Sequence, residues 1–137
     1  MTVQINDTVR NGMLNAIETG GGASAALKIF TGAAPAATTD ANSGTDLVTI
    51  NLPADWANDA ATGSKTLKGT WSGTATAGAA STPGHFRVYT DQSTMDGTTC
   101  FMQGSAGVGS GDLSLDGTIT SGQTVTISTF TLTEGSS

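Results

Sequence analysis

The segment Gln123–Thr133 alternates threonine with large apolar residues, and this pattern constrains the fold more than any other. A β-strand sends successive side chains to opposite faces, so one face is built for burial and the other for water. The wet face is covered with hydroxyls instead of charges. The alternation also slips. Val125 and Ile127 are odd-numbered, whereas Phe130 and Leu132 are even-numbered. A one-residue slip turns a strand's apolar set to the wrong side. Either a β-bulge at Ser128–Thr129 restores the phase, or the strand changes sheets there.

The same style runs through the chain. Its 25 threonines, with glycine, alanine and serine, make up over half of the 137 residues, a composition that raises the question of disorder. Two features argue against it. Charged residues are only 12%, and the large apolar residues fall in short alternating runs. The length suits one domain with one core. Net charge is −6, and the five Lys and Arg are spread from Arg10 to Arg87. Without a basic patch, neither nucleic acid nor an anionic membrane surface is an expected partner. No window approaches the ~20 apolar residues of a membrane span. Cys100 is the only cysteine, which rules out an internal disulfide and a cysteine-based zinc site. On a strand it reads as a small buried hydrophobe. Met1–Asn6 has neither the basic start nor the apolar run of a signal peptide, so synthesis in a reducing cytoplasm is expected.

The expected architecture is all-β: an antiparallel, jelly-roll-like β-sandwich of seven to eight strands with one short N-terminal helix. Residues 1–25 form the helix and a glycine linker, as an arm or a cap. Residues 26–137 form the sandwich. Asn6 or Asp7 caps the helix, Val9, Met13, Ala16 and Ile17 make its apolar stripe, and Gly20–Gly22 stops it. The helix either lies across an open end of the sandwich or docks onto another subunit. Strands are expected at 26–31, 46–52, 65–71, 84–90, 98–104, 112–116 and 123–133. Asp96–Gly97 is the strongest hairpin signal. The stretch 32–45 has almost no large apolar residue and reads as an arm or flexible tip, a first candidate contact element. Residues 105–111 read as a flexible glycine-rich turn.

Few residues carry chemistry. His85, Arg87 and Tyr89 share the predicted outward face of one strand, either as a polar contact face for a partner or as an ordinary exposed face. No Gly-x-Ser-x-Gly nucleophile accompanies them. Trp56, among small residues in a loop, is either an interface anchor or a lid on the core. Asp91 and Asp96 lack the alternating oxygen ligands of a calcium loop and read as turn acids. Asp112 and Asp116, about 13 Å apart along a strand, read as solvated strand ends. The glycine clusters at 20–22 and 104–111 are not phosphate loops. No catalytic, cofactor-binding or metal-ligating residue is assigned. Thr124 and Thr126, with the outward residues beyond the slip, are expected to face a neighbouring copy or a larger assembly.

Several runs together carry a resemblance. They are Leu27–Ala36, Gly69–Thr74, His85–Tyr89, Asp96–Cys100 and Asp112–Asp116 ahead of the threonine strand. Across roughly residues 26–133 the chain resembles the small Thr/Gly/Ala-rich β-proteins of tailed-bacteriophage virions, and most of all the capsid cement, or decoration, proteins. The resemblance implies a non-enzymatic virion structural protein, made in the host cytoplasm and bound to the capsid exterior. Its implied partners are the major capsid protein and neighbouring copies of itself, as a homodimer or homotrimer. No active site and no cofactor carry over. The alternative expectation is a tail- or fibre-associated sandwich that binds a host receptor or glycan.

Overall fold

The computed structural model describes residues 3–76 and 80–134. One helix, α1 (Asp7–Gly21), precedes nine strands: β1 (Ala26–Phe30), β2 (Asp46–Asn51), β3 (Ser64–Thr66), β4 (Trp71–Thr74), β5 (His85–Tyr89), β6 (Cys100–Val108), β7 (Leu113–Leu115), β8 (Thr124–Ile127) and β9 (Thr131–Thr133). The fold is all-β with one short helix. A five-stranded sheet, in the order β2-β1-β5-β6-β7, is accompanied by two two-stranded ladders, β3-β9 and β4-β8. A bridge between Val48 and Ala75 joins the β4 side to the edge of β2, so the layers curl into each other. All ladders are antiparallel except β6-β7.

Alternation places Leu27, Ile29, Ile50, Phe86 and Val88 in the shared core, together with Val125 and Ile127 of the opposite layer. Burying one such aliphatic side chain contributes about 1.5–3 kcal/mol. A run of rings crosses this core, with centroids 6.1 Å apart for Trp56–Trp71, 5.4 Å for Trp71–Phe130 and 5.6 Å for Phe86–Phe130.

The threonine strand changes partners at the slip. β8 pairs with β4, β9 pairs with β3, and Phe130 drops into the core between them. No bulge carries one continuous strand through; the chain switches ladders. The expected strand 65–71 likewise divides into β3 and β4. The break is at Gly69, whose φ of +75° brings its backbone against the Pro53 ring. The expected flexible turn at 105–111 is mostly strand, since β6 runs on to Val108. The return to parallel β7 is tight and uses positive φ at Gly109 and Gly111.

α1 is capped as expected: Asn6 Oδ1 accepts from the Val9 amide at 3.0 Å. Its buried face is not the expected one. Leu14 and Gly21 are buried and Ile17 packs on the core, while Val9 and Met13 are 51% and 45% exposed. Polar residues set this rotation. Asn11, Asn15 and Glu18 accept from the amides of Gly63, Ala60 and Ala57, at 2.9, 2.9 and 3.3 Å. Lys65, 1% exposed, reaches Glu18 at 2.8 Å and Asn15 at 2.9 Å. The helix therefore docks by satisfying the backbone of the 57–63 loop as well as by burying apolar area.

Candidate functional site

His85, Arg87 and Tyr89 do share the outer face of β5, but they are not exposed: all five residues of β5 are buried. The cause is the 31–45 segment, which folds across that face as a strap. The strap has few side chains to bury, so its carbonyls need donors, and the β5 face and its neighbour supply them. Arg87 Nη2 donates to the carbonyls of Thr38 and Asp40 at 2.5 and 3.0 Å. Gln103, opposite Arg87 on β6, donates to Pro35 O at 2.7 Å. His85 Nδ1 lies 2.8 Å from Gly32 O, which makes it the protonated ring nitrogen, and its ring stacks on Phe30 at 5.1 Å.

Asn42 is the pivot of the strap. Its Oδ1 accepts from Arg87 Nη1 at 2.6 Å and from the Tyr89 hydroxyl at 2.7 Å, while its Nδ2 donates to Met95 O at 2.8 Å. Burial pushes the Tyr89 phenol far above its ordinary range and keeps it a neutral donor. The Arg87 charge sits 5.9 Å from the Tyr89 ring centroid, a further compensation for its desolvation. This trio is a second, polar core that holds the strap. It is not a surface for a partner, and the strap is not an extended arm.

Of the two readings of Trp56, the lid on the core holds and the interface anchor does not. The side chain is fully buried, and its Nε1 donates to Gly22 O at 3.2 Å, so it closes the core beneath the end of the helix. An exposed aromatic platform for a sugar is not formed there. Cys100 is buried, as expected.

The acids work locally. Asp91 accepts from the Ser93 amide and hydroxyl, and those bonds hold its carboxyl below the usual range. Asp96 is lowered in the same way by the Thr98 hydroxyl and amide. Asp112 is exposed directly before β7, as expected of a strand end, and the Ser105 hydroxyl and amide reach it at 2.7 and 2.9 Å and lower its pKa. Among the described residues, no group of three or more His, Cys, Asp or Glu is placed to hold a metal ion, and no helix is long and apolar enough to cross a membrane.

Thr124 and Thr126 are exposed on β8. Pairing adds residues that sequence reading did not assign to their face: Thr74 stands opposite Thr124, and Ser72 opposite Thr126. All four are exposed. The second half of the threonine strand repeats the device, with Thr131 opposite Thr66 and Thr133 opposite Ser64. Each hydroxyl both donates and accepts, so the two ladders present uncharged rows of paired hydroxyls. The alternation Thr-x-Thr in the last strand signalled one side of each ladder. The partner strands are too short to signal the other.

A groove of about 460 Å³ separates β6 from β9. Met102–Gly104 form one wall, Thr131–Thr133 form the other, and Phe86 and Phe130 contribute rings. No protein-family model, curated protein or solved structure matches this chain.

Proposed function

We propose that this protein is a non-enzymatic structural protein of a tailed-phage virion, which binds and stabilises the capsid shell from outside through many weak copies of one contact. The observation that supports this reading is the pair of exposed hydroxyl ladders on a chain whose cations are all engaged internally. Arg10 pairs with Asp7, Lys28 with Asp46, Lys65 with Glu18 and Lys68 with Asp55, and Arg87 is buried under the strap. Little positive charge is left to neutralise phosphates, whereas uncharged hydroxyl rows pack beside a lattice without like-charge repulsion. Repetition over a shell turns a modest contact into firm retention. The major capsid protein and further copies of this chain are the partners in this reading, as a homodimer or homotrimer.

The test is co-sedimentation with assembled phage shells and with unassembled capsid subunits. Binding to shells, weak binding to free subunits, and loss of shell binding in Thr124→Lys/Thr126→Lys are expected. Failure to bind shells, or binding that survives both lysines, would overturn the reading.

A further inference from the structure

The groove between β6 and β9 has a property that its volume does not convey: both of its walls are open strand edges. The Ala106 amide donates to Gly84 O, so the even-numbered residues of β6 carry the ladder to β5. In an antiparallel pair, alternate residues point their backbone groups away from the partner. The N–H and C=O of Gln103 therefore point into the groove. On the opposite wall, Glu134 N bonds Gly63 O and Leu67 N bonds Phe130 O, so the even-numbered residues of β9 carry its ladder to β3. Thr131 and Thr133 turn their backbone groups the other way, into the same groove. β7 covers β6 only at Ala106–Val108, and Asp112 takes the Ser105 amide. Below that point no described residue pairs with the β6 edge. An extended segment exposes backbone groups on both sides, so one inserted strand would satisfy both walls.

The same chain carries a segment suited to fill such a groove. Val3, Val9 and Met13 are three of the four exposed large apolar residues among those described, and Val3 is 83% exposed. Val3–Ile5 precedes the helix without regular structure, carries no charge, and places Val3 and Ile5 on one side if extended. Phe86 and Phe130, both buried, lie beneath the groove. The helix that follows the segment is anchored at the end of the β9 wall on its β3 side, where Arg10 on the first turn of α1 donates to Glu134 O. Three residues of strand cover about 10 Å, the length of wall from Thr131 to Thr133.

We propose that the groove accepts Val3–Ile5 of a second copy as an added β-strand, with the two copies exchanging these segments about a two-fold axis. Val9 and Met13, on the helix that follows, are then covered by the partner. The proposal gives the self-association of the preceding section a surface, and it fails separately: it concerns copies in solution without any shell.

The experiment compares the full chain, a chain lacking residues 1–5, and Val3→Asp. Mass in solution is measured by light scattering across the micromolar range, and amide hydrogen exchange is followed at Gln103, Thr131 and Thr133. Asn6 and the helix cap are retained throughout, and near-ultraviolet circular dichroism checks the fold. The expected result is a dimer for the full chain and a monomer after truncation. Val3→Asp should weaken the dimer at least tenfold. Protection of the three amides should be present in the dimer and lost with the segment. A full chain that stays monomeric would overturn the proposal. So would a dimer that survives truncation, or unprotected amides in the dimer. Dimerisation without shell binding would leave this proposal standing and remove the capsid reading.

Discussion

Replacing Asn42 by alanine tests whether the 31–45 segment is a fixed strap or a loose arm. The side chain makes a charge-assisted bond from Arg87 and two neutral bonds, with Tyr89 and Met95. A bond to a charged group contributes about 1.5–3 kcal/mol and a neutral one about 0.5–1.5 kcal/mol. The simple sum is about 2.5–6 kcal/mol. Asn42 itself is exposed, so water replaces part of what is lost. The Arg87 and Tyr89 donors are buried and are less well served. The expected loss is therefore about 2–3 kcal/mol, at or just below the low end of the sum, or a fall in Tm of about 5–10 °C for a chain of this size. Urea unfolding should show a lower midpoint with an unchanged slope. Tyr89→Phe should cost about 1 kcal/mol alone and clearly less in the Asn42→Ala background, because the hydroxyl has already lost its acceptor. Ser43→Ala is the control. Its hydroxyl reaches only Ala33 O at 3.4 Å, and the change should stay within about 0.5 kcal/mol. An Asn42→Ala variant as stable as the control would refute the strap and return the segment to the role of a free arm.

Gly97→Ala should destabilise by at least about 2 kcal/mol, because a Cβ there would stand 2.6 Å from Asp40 O and press the 91–97 turn off the strap. Gly20→Ala meets nothing within 4 Å and should instead stabilise the helix by about 0.5–1 kcal/mol, with urea midpoints moving in opposite directions for the two variants. Lys65→Ala removes the partner of Glu18, whose side chain is 21% exposed, and should cost about 2–3 kcal/mol with a loss of far-ultraviolet helix signal. Asp91, Asp96 and Asp112 have folded pKa values below their unfolded ones. The unfolded chain then binds more protons as acid is added. Their contribution is complete above the unfolded value of about 4 and is lost as pH falls through the depressed folded values. Asp112→Asn should flatten the acid limb of a urea-midpoint profile, and an unchanged limb would contradict the Ser105 bonds as its cause.

Much of the architecture was legible because it rests on local alternation. The β1, β2 and β5 segments, the Asn6 cap and the slip at 128–129 are all written in residues a few positions apart. What was not legible depends on residues far apart in sequence. The helix stripe was read from Val9 and Met13, whereas the docked face is set by Asn11, Asn15 and Glu18 finding amides some 40 to 50 positions later. No periodicity within the helix encodes those partners. Trp56, among small neighbours, fits either a surface anchor or a lid on the core, and nothing local decides between them. Those small neighbours are what allow the chain to pass close over the ring and leave it fully buried.

The misplacement of His85, Arg87 and Tyr89 yields a usable rule. Period-2 reading assigns a polar row to water because it treats each strand as having one apolar neighbour and one solvent neighbour. That holds only if no other segment lies across the polar face. A long segment without large side chains has backbone carbonyls that must be satisfied wherever it packs. A row containing arginine, histidine, tyrosine or glutamine is a row of donors. The two features were both visible here: the side-chain-poor 32–45 stretch, and the donor row of His85, Arg87 and Tyr89 with Gln103 beyond the hairpin. Each was read separately as a place for a partner, but they are partners of each other. The hydroxyl rows differ in one respect: Thr124 and Thr126 already face Thr74 and Ser72 respectively, and no segment of the described chain lies over them. The chain's own backbone uses its strong donors, while the hydroxyls and the open edges of β6 and β9 are left outward, and those are the surfaces from which an assembly can be built.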